Sequence, residues 1–242
     1  MLSMTFWLLT LLVPLQIVLG DLQGLNTLKY QPAKLAAIEA HWNPEARAPL
    51  ILFAIPDAKK EMNHDVLEVP LLGSLILTHE LNGVVPGLKQ WPADQRAPVI
   101  FPFFSFRIMV GLGLLMATLV LLSLWLRIRG RLWDTLWFLR LCQFSAPLGF
   151  LAILAGWVTT ETGRQPWTVY GLLRTADSVT PSLTGMNVLL SFASYMLVYL
   201  IIFPVGIFLM GRLVRKGIPQ AADTTTPIEG GQHRSPIDKL PE

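Results

Sequence analysis

The chain has 242 residues, 52% of them hydrophobic and only 14% charged, with a positive mean hydropathy, which places it among membrane proteins and excludes a soluble core-builder. Its formal net charge of +3 is small, and the basic residues cluster beside apolar runs, which reads as topology signals and not as a nucleic-acid stripe. The single cysteine, Cys142, lies in an apolar run, so this chain alone makes neither an intrachain disulfide nor a cysteine metal cluster, and the thiol reads as a packing or lipid-facing group.

In chain order, residues 1–20 carry no charge and match the ~20 residues a bilayer crossing needs, so they read as a first transmembrane helix. A cleaved signal peptide ending near Val18-Leu19-Gly20 is the competing reading; no Lys or Arg precedes the apolar part, and the run is long for a signal peptide. Residues 21–99 are rich in proline and glycine from Pro32 to Pro98, which predicts a long connection ordered irregularly if at all. Its most helical stretch is Pro32 to Trp42, with proline at the start and strong helix formers behind it. Val69 to Thr78 is apolar but too short to cross a bilayer, so it reads as interfacial or folded back on the protein.

Further spans are expected over about Phe103–Leu126, Leu136–Trp157 and Met186–Leu213, the last with Pro204 inside as a kink or a loosened turn. Arg127, Arg129, Arg131 and Arg140 lie between the second and third spans, and Arg212, Arg215 and Lys216 follow the fourth. The positive-inside rule makes both ends cytoplasmic, so the 21–99 loop and the turn after the third span share the outer side. The expected organisation is an all-α integral membrane protein: a helix at 1–20, an outer loop at 21–99, three spans within 100–216, and a disordered cytoplasmic tail at 217–242.

The chemistry-bearing residues stand at three places. Gly156 to Trp167, Gly-Trp-Val-Thr-Thr-Glu-Thr-Gly-Arg-Gln-Pro-Trp, sets Trp157, Glu161 and Arg164 at i, i+4 and i+7, one stripe of a helix. A carboxylate and a guanidinium at the mouth of a membrane helix are costly unless something uses them. In Phe103-Phe-Ser-Phe-Arg-Ile-Met, Arg107 and Met109 lie within about 10 Å of the outer end of the second span. Lys34 and Glu39 sit on the short helical stretch of the outer loop, about 140° apart on an ideal helix, so they would flank a site more naturally than share a face. Taken alone, Met109 is one of eight methionines and reads as packing, and the Lys34/Glu39 pair reads as a solvated surface pair. The histidines, His41, His64, His79 and His233, all fall outside the expected spans. A low-spin haem in the bilayer, with its two strong axial ligands, could therefore take a methionine but no membrane histidine from this chain.

These three segments, in this order, resemble the signature motifs of subunit I of cytochrome bd-type quinol oxidases: Gln31-Pro-Ala-Lys-Leu-Ala-Ala-Ile-Glu the quinol-binding loop, Phe106-Arg-Ile-Met109 the Phe-Arg-x-Met motif, and Gly163-Arg-Gln-Pro-Trp167 the Gly-Arg-Gln-Pro-Trp motif. The resemblance implies a terminal oxidase of the bacterial inner membrane that oxidises quinol and reduces dioxygen to water. It assigns Lys34 and Glu39 to quinol oxidation, Met109 as an axial ligand of the low-spin haem b, Glu161 as a ligand of a high-spin haem in the di-haem centre, and Trp157 to a place between the haems. Arg107 and Arg164 become candidate propionate or structural partners. The implied cofactors are a low-spin and a high-spin haem b and a third haem, d or b. The implied partners are a second membrane subunit and quinol.

The outer loop looks like the short-loop type, and the resemblance covers the C-terminal half of the family's subunit. The histidine ligands and acidic proton path that the family carries on preceding helices are expected from an N-terminal half supplied elsewhere. Two other classes stay open. A split or truncated, inactive remnant would be told apart by coexpressing the other half, and a haem-free four-helix scaffold or transporter by unchanged haem content in Glu161→Ala and Met109→Leu.

Overall fold

The computed structural model describes residues 2–216, so the tail expected at 217–242 lies outside the described residues. The chain divides into two units, Met1–Val179 and Thr180–Glu242. Among the described residues, four stretches are long and apolar enough to cross a membrane: Ser3–Tyr30, Ile100–Ile128, Leu136–Arg164 and Gly185–Lys216.

In the first unit, α1 (Leu2–Tyr30) runs well past the apolar run at 1–20. The extension follows from Leu22, Leu25 and Leu28 at i, i+3 and i+6 and from the lack of proline between Gly20 and Pro32. Leu28 packs on a buried cluster of Leu35, Ala48, Leu77 and Val85, which holds the end of α1 against residues 31–99. Its other end is held by Arg127 from the far end of α4 (Ile100–Ile128). The guanidinium donates to the Ser3 hydroxyl at 3.0 Å and to the Ser3 carbonyl at 3.3 Å, and it lies 4.9 Å from the Trp7 ring. The two helices are therefore antiparallel, and Phe6, Leu119, Leu126, Leu132 and Phe138 fill the space at that end.

Residues 31–99 are more ordered than their proline and glycine content predicts. They hold α2 (Pro32–Glu39), β1 (Glu45–Ala46), β2 (Leu50–Asp57), β3 (Met62–Val69), α3 (Leu72–Thr78) and β4 (Val84–Val85). β2 and β3 form an antiparallel hairpin with Leu50 opposite Val69 and Asp57 opposite Met62, while β1 pairs with β4. The breakers fall at turns and close approaches. A Cβ at Gly87 would lie 2.1 Å from the Asn43 carbonyl carbon, so only glycine lets these backbones meet. α2 ends at the fully buried Ala40, in the left-handed region at φ 56°, with its N–H turned back to the Ala36 and Ala37 carbonyls. α3 folds back as expected, because the buried Ser74 hydroxyl accepts from the Ala48 N–H at 2.7 Å and donates to the Gly83 carbonyl at 2.8 Å.

The third span is interrupted: α5 (Leu136–Phe144) and α6 (Leu148–Arg164) are separated at residues 145–147. Pro147 has no N–H to continue the ladder, and the chain passes through tighter bonds, Ala146 N–H to Gln143 O and Leu148 N–H to Ser145 O. α6 also continues to Arg164 where the apolar run stops at Trp157. It packs on α4 through small residues, with the Ser105 and Thr159 hydroxyl oxygens 2.7 Å apart and a Cβ at Gly163 only 3.6 Å from the Pro102 side chain. Such contacts suit membrane helices, where close backbone approach and hydroxyl pairs replace the hydrophobic drive. Beyond it β5 (Trp167–Val169) and β6 (Leu173–Arg174) form a second hairpin.

In the second unit α7 (Gly185–Lys216) is one helix, and Pro204 lies within it without ending it. Thr184 caps its start, its carbonyl accepting from the Asn187 and Val188 N–H groups, and Arg215 and Lys216 complement its C-terminal dipole.

Ser74→Ala leaves the buried Ala48 N–H and Gly83 carbonyl unsatisfied, at about 1–3 kcal/mol each. The expected outcome is faster proteolysis within residues 44–99, with the four spans retained, measured by limited digestion in membranes.

Candidate functional site

The site gathers where α2 lies across the N-terminal end of α4 and the C-terminal end of α6. Lys34 and Glu39 diverge from the same short helix as their spacing predicts. The Lys34 side chain crosses Gly163 of α6, its Cγ and Cε 3.2 and 3.3 Å from the position a Cβ would take there. Glu39 turns instead to α4. Its carboxylate is buried and accepts from Arg107 Nη2 at 3.2 Å.

Arg107 has five N–H donors, and all five are used inside this chain. Nε donates to the Ile51 carbonyl at 2.9 Å. Nη1 donates to the carbonyls of Ile38 at 2.8 Å and Phe103 at 3.0 Å. Nη2 donates to Glu39 and again to Ile51. The guanidinium also stacks 3.5 Å from the centre of the Phe103 ring. Arg107 therefore ties α2, β2 and α4 together, and a propionate could bind it only by sharing or displacing one of these acceptors.

Burial pushes the Glu39 carboxyl above the usual carboxylate range, against the opposing pull of Arg107. Half-burial lowers the Lys34 ammonium first and the neighbouring Arg164 charge lowers it further, while Glu161 opposes. Both shifts move these groups towards neutrality, the condition in which an acid or base exchanges protons readily. Sequence reading missed His41, which is 5% exposed and whose Nε2 has no hydrogen-bond partner among the described residues. It is held down to about 4, by burial first and then by the Arg107 charge, with a backbone hydrogen bond at Pro49 opposing. No periodic pattern announces it; only its place two residues after Glu39 on the α2 turn could have.

On α6 the stripe of Trp157, Glu161 and Arg164 faces away from α4 within the first unit. Trp157 is 63% exposed, the Glu161 and Arg164 side chains 44% and 36%, and the two charges pair at 2.5 Å. The opposite face carries Gly156, Thr159 and Gly163, and here Met109 of α4 meets α6. A Cβ on Gly156 would lie 2.8 Å from Met109 Sδ. Met109 and Glu161 thus do not share one pocket: one is folded into the helix pair and the other stands on its open side. Above them Tyr170, between β5 and β6, lies against the backbone of Ala33, so the second hairpin covers the start of α2.

Comparison with known proteins decides what this arrangement belongs to. The family described as "Cytochrome bd terminal oxidase subunit I" matches residues 1–218. The chain belongs to that family. It is 37% identical to cytochrome bd ubiquinol oxidase subunit 1 of Bacillus subtilis (strain 168) over 82% of this chain and 44% of that protein. Against cytochrome bd-II ubiquinol oxidase subunit 1 of Escherichia coli (strain K12), identity is 29% over 87% of this chain and 54% of that protein. Among solved structures, the bd oxidase from Geobacillus thermodenitrificans superposes with a TM-score of 0.70 at 30% identity, covering 84% of this chain and 46% of that one. The chain spans about half the length of these relatives.

Haems are the cofactors this family implies, and the donor set here fits part of that need. Met109 offers one thioether and Glu161 one carboxylate, on separate helix faces. No cluster of three or more His, Cys, Asp or Glu that could hold a metal occurs among the described residues. The described spans hold no histidine, so a histidine ligand for a low-spin iron would have to come from outside them.

The His41 shift has a measurable consequence. Its folded pKa lies below the ordinary 6.5, so the unfolded segment binds a proton that the folded one does not. Stability is full above about pH 6.5 and falls as pH drops towards about 4, by on the order of 3 kcal/mol at most. Protection factors across residues 32–99, with intrinsic exchange at each pH divided out, should fall through that window, and His41→Gln should flatten this part of the profile.

Proposed function

We propose that this chain forms the quinol-facing and haem-ligating part of a quinol:dioxygen oxidoreductase. It would act with the remainder of the family's length, whether on the same polypeptide or another, and with a second membrane subunit. The observation that supports this most is the placement of α2: one short helix carries Lys34 to α6 and Glu39 to α4. The two residues matching the family's quinol loop thus rest on the two helices that carry the matching ligand residues.

In this reading Glu39, raised by burial, accepts a proton from a quinol hydroxyl, and Arg107 keeps the carboxylate in place before and after. Lys34, lowered by burial, hydrogen-bonds the other quinol oxygen and in its neutral form takes the second of the two protons released as the two electrons leave for the haems. Met109 would hold the iron of the low-spin haem and Glu161 that of a high-spin haem, and Trp157, exposed on the same face of α6 as Glu161, would provide an aromatic path. Arg164, paired with Glu161, orients that carboxylate. When bound, the haems supply one-electron transfer and the reduction of dioxygen. The basic groups at residues 127–131 and 212–216 place those ends in the cytoplasm and the α2 site on the outer side of the bacterial inner membrane.

The test uses the complete oxidase complex. Glu39→Gln should lower kcat with quinol by about 10²–10⁴-fold while a chemical reductant still reduces every haem. Met109→Leu should remove the low-spin haem signal, and Glu161→Ala should perturb a high-spin signal. Unchanged haem spectra in both ligand variants would overturn the assignments and favour a haem-free scaffold.

A further inference from the structure

We propose that Gly156 is a positioning residue for the Met109 sulfur: the bare face of α6 at Gly156 is the notch that seats Sδ and so sets where the thioether can reach. The inference rests on the reading of Met109 as an axial ligand and adds a residue that no motif supplies.

The geometry is specific to this pair. A Cβ built on Gly156 would stand 2.8 Å from Met109 Sδ and 3.8 Å from Met109 Cγ, and among the described residues no other heavy atom outside its chain neighbours and its own helical backbone comes within 4 Å. Across the helix pair, such a methyl would displace the far part of the methionine side chain. Real Cβ atoms essentially never come within 3.0 Å of another atom, so either the sulfur moves or the helices part. The helices are held one turn away, where the Ser105 and Thr159 hydroxyls meet at 2.7 Å on the same two elements, and again at Gly163, where the Pro102 side chain is 3.6 Å from a built Cβ. Backbone is thus restrained on the outer side of Gly156, while Met109 has the freely turning χ angles of an unbranched chain. The sulfur is what yields.

A thioether bound to iron favours the reduced state and raises the potential. Moving Sδ weakens that bond, so the potential should fall and part of the low-spin population should become high-spin. A close-packing glycine with no link to the ligand would change stability but neither of these.

The experiment is a redox titration of the low-spin haem in the intact oxidase complex, with its optical spectrum recorded in both oxidation states. Gly156→Ala is expected to lower the midpoint potential and to open the ferrous low-spin haem to carbon monoxide. Ser105→Ala, which removes the hydroxyl bridge between the same helices without adding bulk at Met109, is expected to leave the potential where it was. Equal shifts in the two variants, or none in Gly156→Ala with the haem retained, would overturn the proposal. If Gly156→Ala does not assemble, the Gly156→Ala/Met109→Ala double variant decides. Recovered assembly identifies the sulfur as the atom in conflict, and continued failure overturns the assignment. Failure of the parent reading looks different: Met109→Leu would then keep an unaltered low-spin haem, whatever Gly156 does.

Discussion

A charged side chain in a membrane helix is stable only if its donors are all satisfied, and Arg107 meets that demand by drawing in a neighbouring segment. Its five N–H groups reach the Glu39 carboxylate and the carbonyls of Ile38, Ile51 and Phe103, so α2 and β2 are fastened to α4 at a single point. Removing the guanidinium would leave the buried Glu39 carboxylate without its ion-pair partner, a loss of about 3–5 kcal/mol. The short elements between residues 31 and 99 are individually too small to persist; a hairpin and two helices of one to two turns are marginal in water. Their order follows from this anchor, from the Ser74 hydroxyl bridge, and from the side chain of Asn63. Its amide donates to the Ala40 carbonyl and its oxygen accepts from the Trp42 indole N–H, both at 2.9 Å.

Two kinds of surface result on α6. One face is made of glycine and hydroxyl residues and sits against α4. The other carries Trp157, Glu161 and Arg164 with little cover from the first unit. A tryptophan and an ion pair in this exposure are the polar and aromatic groups that α6 presents on its open side. The separation also divides labour: residues that fix the helix pair are distinct from those presented outward.

The spans were legible because an uncharged apolar run long enough to cross a bilayer rarely fits a soluble fold. The α6 stripe was legible because 3.6-residue periodicity survives in any context. The end of α1 was misjudged where charge appears at Asp21, since Leu22, Leu25 and Leu28 keep the helical face beyond it. The β2–β3 hairpin escaped notice for a physical reason: its register shifts at Phe53 and Ile55, and Pro56 interrupts the alternation by which a strand is read. Nor could the sequence pair Arg107 with Glu39. They stand 68 positions apart, and tertiary ion pairs leave no periodic trace. The motif resemblance assigned one to a propionate and the other to quinol, while the structure joins them to each other.

Because Arg107 has no spare donor, α2 and α4 behave at this point as one mechanical part. A helix held by a single flexible contact can rock on its neighbour at little cost, but a planar fork gripping four acceptors resists translation along each of their directions. Any shift of α2 therefore loads the backbone of α4 at Arg107, two residues before Met109.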